Sequence, residues 1–113
     1  MNDRALNAGD LICTVLTRLG IKTVFGLPGT QNVQLFEALR NSSLRTVLAT
    51  SELAAGFMAA GHFRATGHIA VLATISGPGF TWALPGLAEA RLHRGGYEGR
   101  RASRGGRSRQ VKR

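Results

Sequence analysis

The sequence has little of several features that define common protein classes. It holds one cysteine, Cys13, and only three prolines, one tryptophan and one tyrosine. A single cysteine excludes an internal disulfide, and its apolar neighbours at helical spacing predict a buried, inert thiol. The most apolar stretch, residues 69–75, is far too short to span a bilayer, and residues 1–4 lead into no signal-type apolar run. We therefore expect a cytoplasmic protein without a membrane partner.

Acidic residues are also scarce, with six Asp or Glu against fifteen Lys or Arg and a formal net charge of +9. The excess is concentrated at one end of the chain. Residues 1–92 carry seven basic and five acidic residues, a net charge of +2, whereas residues 93–113 carry eight and one, a net charge of +7. The second segment also holds five glycines and almost no apolar residues, so it cannot bury enough surface to offset its ordering entropy. We expect a domain over 1–92 and a disordered, Arg/Gly-rich tail over 93–113.

Helical and strand patterns alternate along the first 92 residues. Apolar spacing predicts helices near 8–19, 32–41, 52–65 and 80–92, and β-favouring runs predict strands near 22–25, 45–49 and 69–74. Alternation of this kind is typical of an α/β fold with right-handed crossovers. The sequence thus predicts a partial parallel sheet with flanking helices, followed by a disordered basic tail.

Three loops follow the predicted strands, at residues 26–31, 50–52 and 75–81. In a parallel sheet these loops emerge at one carboxyl edge, where ligands bind. Two of them are rich in Gly and Pro, which lets the backbone approach a ligand closely. The remaining loop places an acid, Glu52, at the start of a helix, and acids are also common there simply because they complement the helix dipole.

The helix that begins at Glu52 is unusually small-sided. Glu52, Gly56, Ala59 and Phe63 share one of its faces at helical spacing. Such a face admits a second helix or a flat ring, and a tightly packed core helix has the same composition. The spacing alone leaves these alternatives open.

Common phosphate and metal motifs are missing. The glycines fit neither GxGxxG nor GxxxxGK[ST], so the loops are not phosphate loops of those kinds. His62, His68 and His93 have no metal-ligand spacing and no partner cysteines. We therefore expect no metal site within this chain.

Several segments together carry a family resemblance. They are VFGLPG at 24–29, SELAAGFMA at 51–59, RATG at 64–67, SGPG at 76–79 and GLAEA at 86–90. In order and spacing they resemble the N-terminal domain of acetolactate-synthase-like thiamine-diphosphate enzymes, over about residues 5–92. The resemblance implies a domain that binds the cofactor's aminopyrimidine ring, while a separate C-terminal domain, usually from the partner subunit, binds the diphosphate through Mg²⁺.

The resemblance also implies roles for individual residues. Glu52 matches the family's catalytic glutamate, which hydrogen-bonds a pyrimidine ring nitrogen and so favours the imino tautomer that removes the thiazolium C2 proton. Cofactor binding is implied for Gly29, Pro78 and Gly79 besides Glu52, and the loop positions Thr30 and Gln31 match the substrate cleft. Related enzymes dimerise close to this region, which implies a dimer or other homo-oligomer.

The sequence departs from the family pattern at several positions. Ser51 stands where many members have His, and a Ser there suits a helix cap. His62 stands where Tyr is usual, and Pro85 falls inside the last predicted helix, where it costs about 3 kcal/mol unless the helix kinks. From His93 the pattern ends, so we expect a truncated fragment that is inactive without the Mg²⁺-diphosphate domain.

An alternative function is non-specific nucleic-acid binding through the basic tail. Tail arginines would neutralise phosphates with little sequence preference. Tyr97 is the only aromatic residue there, so base stacking would be sparse. A solvated extension without function is the simpler interpretation, and we do not expect a nucleic-acid partner.

Overall fold

The computed structural model describes residues 5–105, with side chains described as far as residue 93. Its elements are α1 (Ala8–Arg18), β1 (Thr23–Gly26), α2 (Val33–Arg40), β2 (Arg45–Leu48), α3 (Glu52–Thr66), β3 (Val71–Ala73) and α4 (Pro78–Gly105). Each predicted helix and strand is present in the predicted order, and the α/β prediction is confirmed.

The three strands form one parallel sheet in the order β2-β1-β3. At its middle, Phe25 of β1 pairs with Val47 of β2 and Leu72 of β3. All four residues of β1 are buried, because helices cover both faces of this central strand. On one face of the sheet, Val24 packs with Leu39 of α2. On the other face, Phe25 packs with Ala55 of α3. Every strand is followed by a helix, so the loops after the strands share one edge.

Local side-chain chemistry fixes where two of the helices begin. Asn7 and Asp10 form a reciprocal capping box at the start of α1, since each side chain accepts a hydrogen bond from the other's backbone N–H. Ser51 caps α3, with its Oγ accepting from the Ala54 N–H at 3.2 Å. At the other end of α3, Gly67 adopts a left-handed φ of 73°, which ends the helix at little cost.

Helices α3 and α4 meet backbone to backbone at Gly56 and Gly86. A Cβ added at position 86 would lie 2.6 Å from the Gly56 Cα and 2.7 Å from the Phe57 backbone nitrogen. Ala83, one turn earlier in α4, is completely buried. The small-sided face of α3 is therefore covered by a second helix at Gly56. Helix α4 runs through Pro85 without a break.

The C-terminal part of the chain differs in extent from the expectation. Helix α4 continues to Gly105, beyond the predicted end of the last helix at residue 92. This extension includes Gly95, Gly96 and Gly99, each of which disfavours a helix by about 1 kcal/mol relative to Ala. Residues 106–113 lie outside the described residues, and the disordered tail over 93–113 stays a prediction. In the described part of the chain, no helix has the length and hydrophobicity needed to cross a membrane.

Helix α1 forms where apolar spacing predicts it but covers little of its apolar surface. Its buried residues are Gly9 and Cys13, whereas Leu11 and the C-cap residue Leu19 are 66% and 71% exposed. The reason is that α1 packs against α2 along a single narrow stripe. Much of the apolar surface of α1 is left for water or for another chain.

Candidate functional site

Two contacts join the three loops at the carboxyl edge of the sheet. The Ser76 hydroxyl donates to Gln31 Oε1 at 2.6 Å, which connects the third loop to the first. Gly79 lies against the side chain of Glu52, which connects the third loop to the second. The predicted clustering of these loops is therefore present in the structure.

Glu52 is the first residue of α3 and its side chain is half-buried. Its Oε1 lies 3.1 Å, and its Cδ 3.6 Å, from the position that a Cβ would take at residue 79. No hydrogen bond or ion pair to this carboxylate exists among the residues that the structure describes. The carboxylate also stands where two helices begin, α3 at Glu52 and α4 at Pro78, and helix N-termini carry partial positive charge. It is available to a ligand that presents a hydrogen-bonding group.

Ile75 fills the space between the first and third loops. A Cβ at position 79 would lie 2.5 Å from Ile75 Cγ1, and a Cβ at position 29 would lie 2.6 Å from Ile75 Cγ2. Both Gly29 and Gly79 must therefore lack a side chain for this packing to exist. The sequence motifs point to the glycines and not to Ile75, although an isolated large apolar residue in a Gly- and Pro-rich loop is a usable signal.

Asn32 is a second residue of this edge that the sequence motifs do not point to. It is buried, and its Oδ1 accepts from the Gly29 N–H at 2.6 Å while its Nδ2 donates to the Leu27 carbonyl at 3.3 Å. These bonds brace the turn that presents Thr30 and Gln31, both of which are exposed. An Asn just after a Gly-rich turn is the signal for such a brace.

Pro78 lies at the surface as the first residue of α4. This position suits proline, because the N–H that it lacks would have no helical partner there. The preceding Gly77 adopts a φ of 68°, and its carbonyl accepts the first helical hydrogen bond from the Thr81 N–H at 3.0 Å. All six residues predicted to bind cofactor or substrate thus lie in the three loops or in the helical turns that continue them.

The described residues contain no group of three His, Cys, Asp or Glu side chains that could hold a metal ion. The histidines stand apart from one another in separate environments. The His62 ring meets the edge of Phe25 with ring centroids 5.6 Å apart, His93 pairs with Glu89 at 2.8 Å, and His68 is exposed.

A cleft of about 410 Å³ lies away from this edge, between α1 and α2, with Cys13, Arg18 and Ser42 in its lining. Burial raises the pKa of the Cys13 thiol, and a hydrogen bond with Ser42 opposes that shift in part. A neutral thiol of this kind is a poor nucleophile. Cys13 is therefore not an activated nucleophile in this cleft.

Comparisons with known proteins agree with the geometry of the edge. The sequence profile of the family described as "Thiamine pyrophosphate enzyme, N-terminal TPP binding domain" matches residues 6–95. The protein named Probable 2-ketoarginine decarboxylase AruI of Pseudomonas aeruginosa is 38% identical over 87 residues, which cover 77% of this chain and 16% of that protein.

Two acetolactate synthases are similar to a comparable degree. The chloroplastic acetolactate synthase of Arabidopsis thaliana is 37% identical over 91 residues, covering 80% of this chain and 14% of the plant protein. The large subunit of acetolactate synthase isozyme 2 of Escherichia coli is 36% identical over 87 residues, covering 77% of this chain and 16% of the subunit. The chain thus spans only a small part of the length of the relatives that it matches.

Proposed function

This chain belongs to the family of thiamine pyrophosphate enzymes, as their N-terminal TPP binding domain, and we propose that Glu52 binds the aminopyrimidine ring of thiamine diphosphate. The observation that carries the proposal is a half-buried carboxylate at the carboxyl edge that has no partner among the described residues. A carboxyl group held against a ring nitrogen is the group that acid–base chemistry on an aminopyrimidine needs.

The shape of the edge supports this fit. Gly79 has no side chain where it lies against the Glu52 carboxylate, and Gly29 has none where it lies against Ile75. Because α4 covers Gly56, the ring would approach the carboxylate from the loop side and not along the α3 face. When bound, the cofactor supplies a carbanion for carbonyl chemistry. The chain's own part is to hold the Glu52 carboxylate and to present Thr30 and Gln31 toward a substrate.

We propose that the chain does not catalyse on its own. The described residues hold no acidic or histidine cluster that fits Mg²⁺, so the diphosphate half of the cofactor would need a domain that is separate from this one. With thiamine diphosphate, Mg²⁺ and pyruvate, the purified chain should form no product. Turnover that disappears in Glu52→Gln would overturn this proposal.

Chemical-shift perturbation by the isolated aminopyrimidine tests the binding proposal directly. A ¹⁵N-labelled chain titrated with 4-amino-5-hydroxymethyl-2-methylpyrimidine should show shifts confined to residues 26–31, 50–54 and 75–81. Shifts spread evenly over the chain, or centred on the Cys13 cleft, would contradict it.

The finer properties of the chain are also proposals. We propose that it acts in the cytoplasm and self-associates as a dimer or larger homo-oligomer. The exposed apolar residues on α1, α3 and α4 support self-association. Location in the cytoplasm is tested by fractionation of cells that express the tagged chain.

Nucleic-acid binding is the second candidate, and the net charge of +7 over residues 93–113 is the observation that favours it. Phosphate binding by these arginines predicts an affinity that falls steeply with salt and disappears when 93–113 are deleted. Aminopyrimidine binding should survive that deletion. The two candidates are therefore separated by one deletion variant.

A further inference from the structure

We propose that Ile75 is a positioning residue that sets the place of the Glu52 carboxylate through the backbone of Gly79. The consequence for ligand binding rests on the proposed function, but the packing relationship itself does not. Neither the family motif nor the loop chemistry singles out this residue, because its side chain is apolar and makes no hydrogen bond.

An unbroken line of contacts runs across the edge, from Gly29 through Ile75 and Gly79 to Glu52. Ile75 Cγ2 lies against Gly29 and its Cγ1 lies against Gly79, each close enough that a Cβ on the glycine would approach within 2.6 Å or less. Gly79 in turn forms the wall beside Glu52 Oε1, at 3.1 Å from the Cβ position. The Ile75 side chain thus sets the spacing between Gly29 and Gly79. Through Gly79 it fixes the backbone surface that lies beside the Glu52 carboxylate.

Packing has to place this carboxylate, because hydrogen bonds do not. No described residue donates to Glu52, so the side chain is limited only by its rotamers and by the surfaces that it touches. Gly79 sits in the first turn of α4, directly against the half-buried Ile75. If the side chain of Ile75 were shortened, the first turn of α4 would move toward the vacated space. The backbone of Gly79 would then move away from the Glu52 carboxylate.

Residues 75 and 79 are therefore matched in size. A methyl group at position 79 does not fit while Ile75 keeps its γ carbons. Its carbon would lie 2.5 Å from Ile75 Cγ1, which is too short for two carbon atoms that are not bonded to each other. Ile75→Ala removes the γ carbon that this methyl group would strike, and the remaining 3.1 Å approach to Glu52 Oε1 is relieved by a small shift of that flexible side chain. The relationship predicts that one substitution has opposite effects in two backgrounds.

The first experiment compares Ile75→Ala with Ile75→Val in the full chain. Valine keeps both γ carbons that touch the glycines and loses only Cδ1, so it is the matched control. Affinity for 4-amino-5-hydroxymethyl-2-methylpyrimidine should fall about tenfold in Ile75→Ala, because the binding carboxylate is misplaced, and should change less than about twofold in Ile75→Val. Equal affinity of a folded Ile75→Ala variant and the unaltered chain would overturn the proposal.

The second experiment adds Gly79→Ala to two backgrounds, the unaltered chain and the Ile75→Ala variant. In the unaltered chain, Gly79→Ala should weaken binding, because the new methyl group displaces the carboxylate or the first turn of α4. In the Ile75→Ala background, the same change should strengthen binding, because it refills the gap and restores the wall. A merely structural role would give Gly79→Ala the same direction of effect in both backgrounds, and that result would overturn the proposal.

The carboxyl ¹³C chemical shift of Glu52 reports its surroundings without any ligand. It should move in Ile75→Ala and in Gly79→Ala and return toward its original value in the double variant. If the unaltered chain fails to bind the pyrimidine, the proposed function fails, while this shift still decides whether Ile75 positions Glu52. Should Ile75→Ala not fold, Gly79→Ala alone tests the contact, and an unchanged Glu52 shift there would contradict it.

Discussion

Gly79 lies beside Glu52 so closely that a Cβ at position 79 would stand 3.1 Å from Glu52 Oε1. The two residues come from different loops and lie in the first turns of different helices. Their contact brings an acid at the carboxyl edge against a bare stretch of backbone. This relationship makes the edge a candidate binding site, since it leaves a carboxylate accessible and keeps side chains away from one side of it.

The contact between α3 and α4 predicts a contrast between two glycines. Gly86→Ala should destabilise the chain by about 1–3 kcal/mol, because the new Cβ would strike the backbone of Gly56. Gly61→Ala should stabilise it by about 1 kcal/mol, since Gly61 lies within α3 and a Cβ there meets nothing within 4 Å. Urea unfolding followed by circular dichroism measures both changes. A stabilising Gly86→Ala would show that the two helices do not meet at this point.

The Cys13 thiol predicts a pH dependence of stability. Its pKa is raised by burial in the folded chain, so its neutral form stabilises the fold fully below the ordinary thiol pKa of about 8.5. That contribution is lost as the pH rises through the raised pKa of the folded state. Stability should therefore fall above about pH 8.5, and the fall should be smaller in Cys13→Ala. Iodoacetamide should label Cys13 much faster in urea than in buffer, and equal rates would contradict its burial.

Much of this fold could be predicted because its local signals agree with one another. Alternating patterns, the capping box at Asn7 and the cap at Ser51 place the elements within a few residues of their observed bounds. Sequence patterns could not show which helix face is covered, because burial depends on what packs there. Leu11 and Leu19 are exposed for this reason, although their spacing is that of a buried stripe.

The candidate site divides in the same way. Glu52, Gly29 and Gly79 could be identified because their residue types carry a chemical or conformational meaning. Ile75 and Asn32 carry weaker sequence signals, and their roles become definite only in the structure, where Ile75 contacts Gly29 and Gly79 and Asn32 braces a buried turn. The structure was also needed to show that α4 covers α3 at Gly56, because a small-sided helix face fits a second helix and a flat ring equally well.

The basic C-terminal segment should be the first part of the chain that trypsin cuts. Its glycines disfavour a helix, and its composition offers little apolar surface to bury. Limited proteolysis followed by mass spectrometry should leave a core that ends near Arg91 or Arg94. Cleavage within α1 or α2 before any cleavage at Arg100, Arg101 or Arg104 would contradict this prediction.

Self-association should occur at micromolar concentration. Both outer strands of the three-stranded sheet have an unpaired edge in the described chain, and Trp82 and Phe80 of α4 are 62% and 52% exposed. Open edges and apolar patches favour pairing with other chains. Moderate salt should increase the associated fraction, because it screens repulsion between the basic segments.

Sedimentation velocity at low and moderate salt measures the associated fraction of the chain directly. The control is a Trp82→Lys variant, which removes an exposed apolar side chain and should lower the associated fraction. A strictly monomeric species with a sharp, cooperative melt at both salt concentrations would show that the sheet edges and the apolar surface are covered.

Pyrimidine binding by Glu52 is tested most directly by comparing three forms of the chain: unaltered, Glu52→Gln and Glu89→Gln. The quantity compared is the affinity of each form for 4-amino-5-hydroxymethyl-2-methylpyrimidine. Glu89 is the matched control, because it is an acid of the same charge whose partners are Arg64 and His93 on the far part of α3 and α4. Titration calorimetry should show that Glu52→Gln weakens binding at least about tenfold, as expected for a lost charged hydrogen bond, and that Glu89→Gln leaves it unchanged. Equal affinity of Glu52→Gln and the unaltered chain, with both folded, would contradict the assignment of Glu52 as the residue that binds the cofactor's pyrimidine.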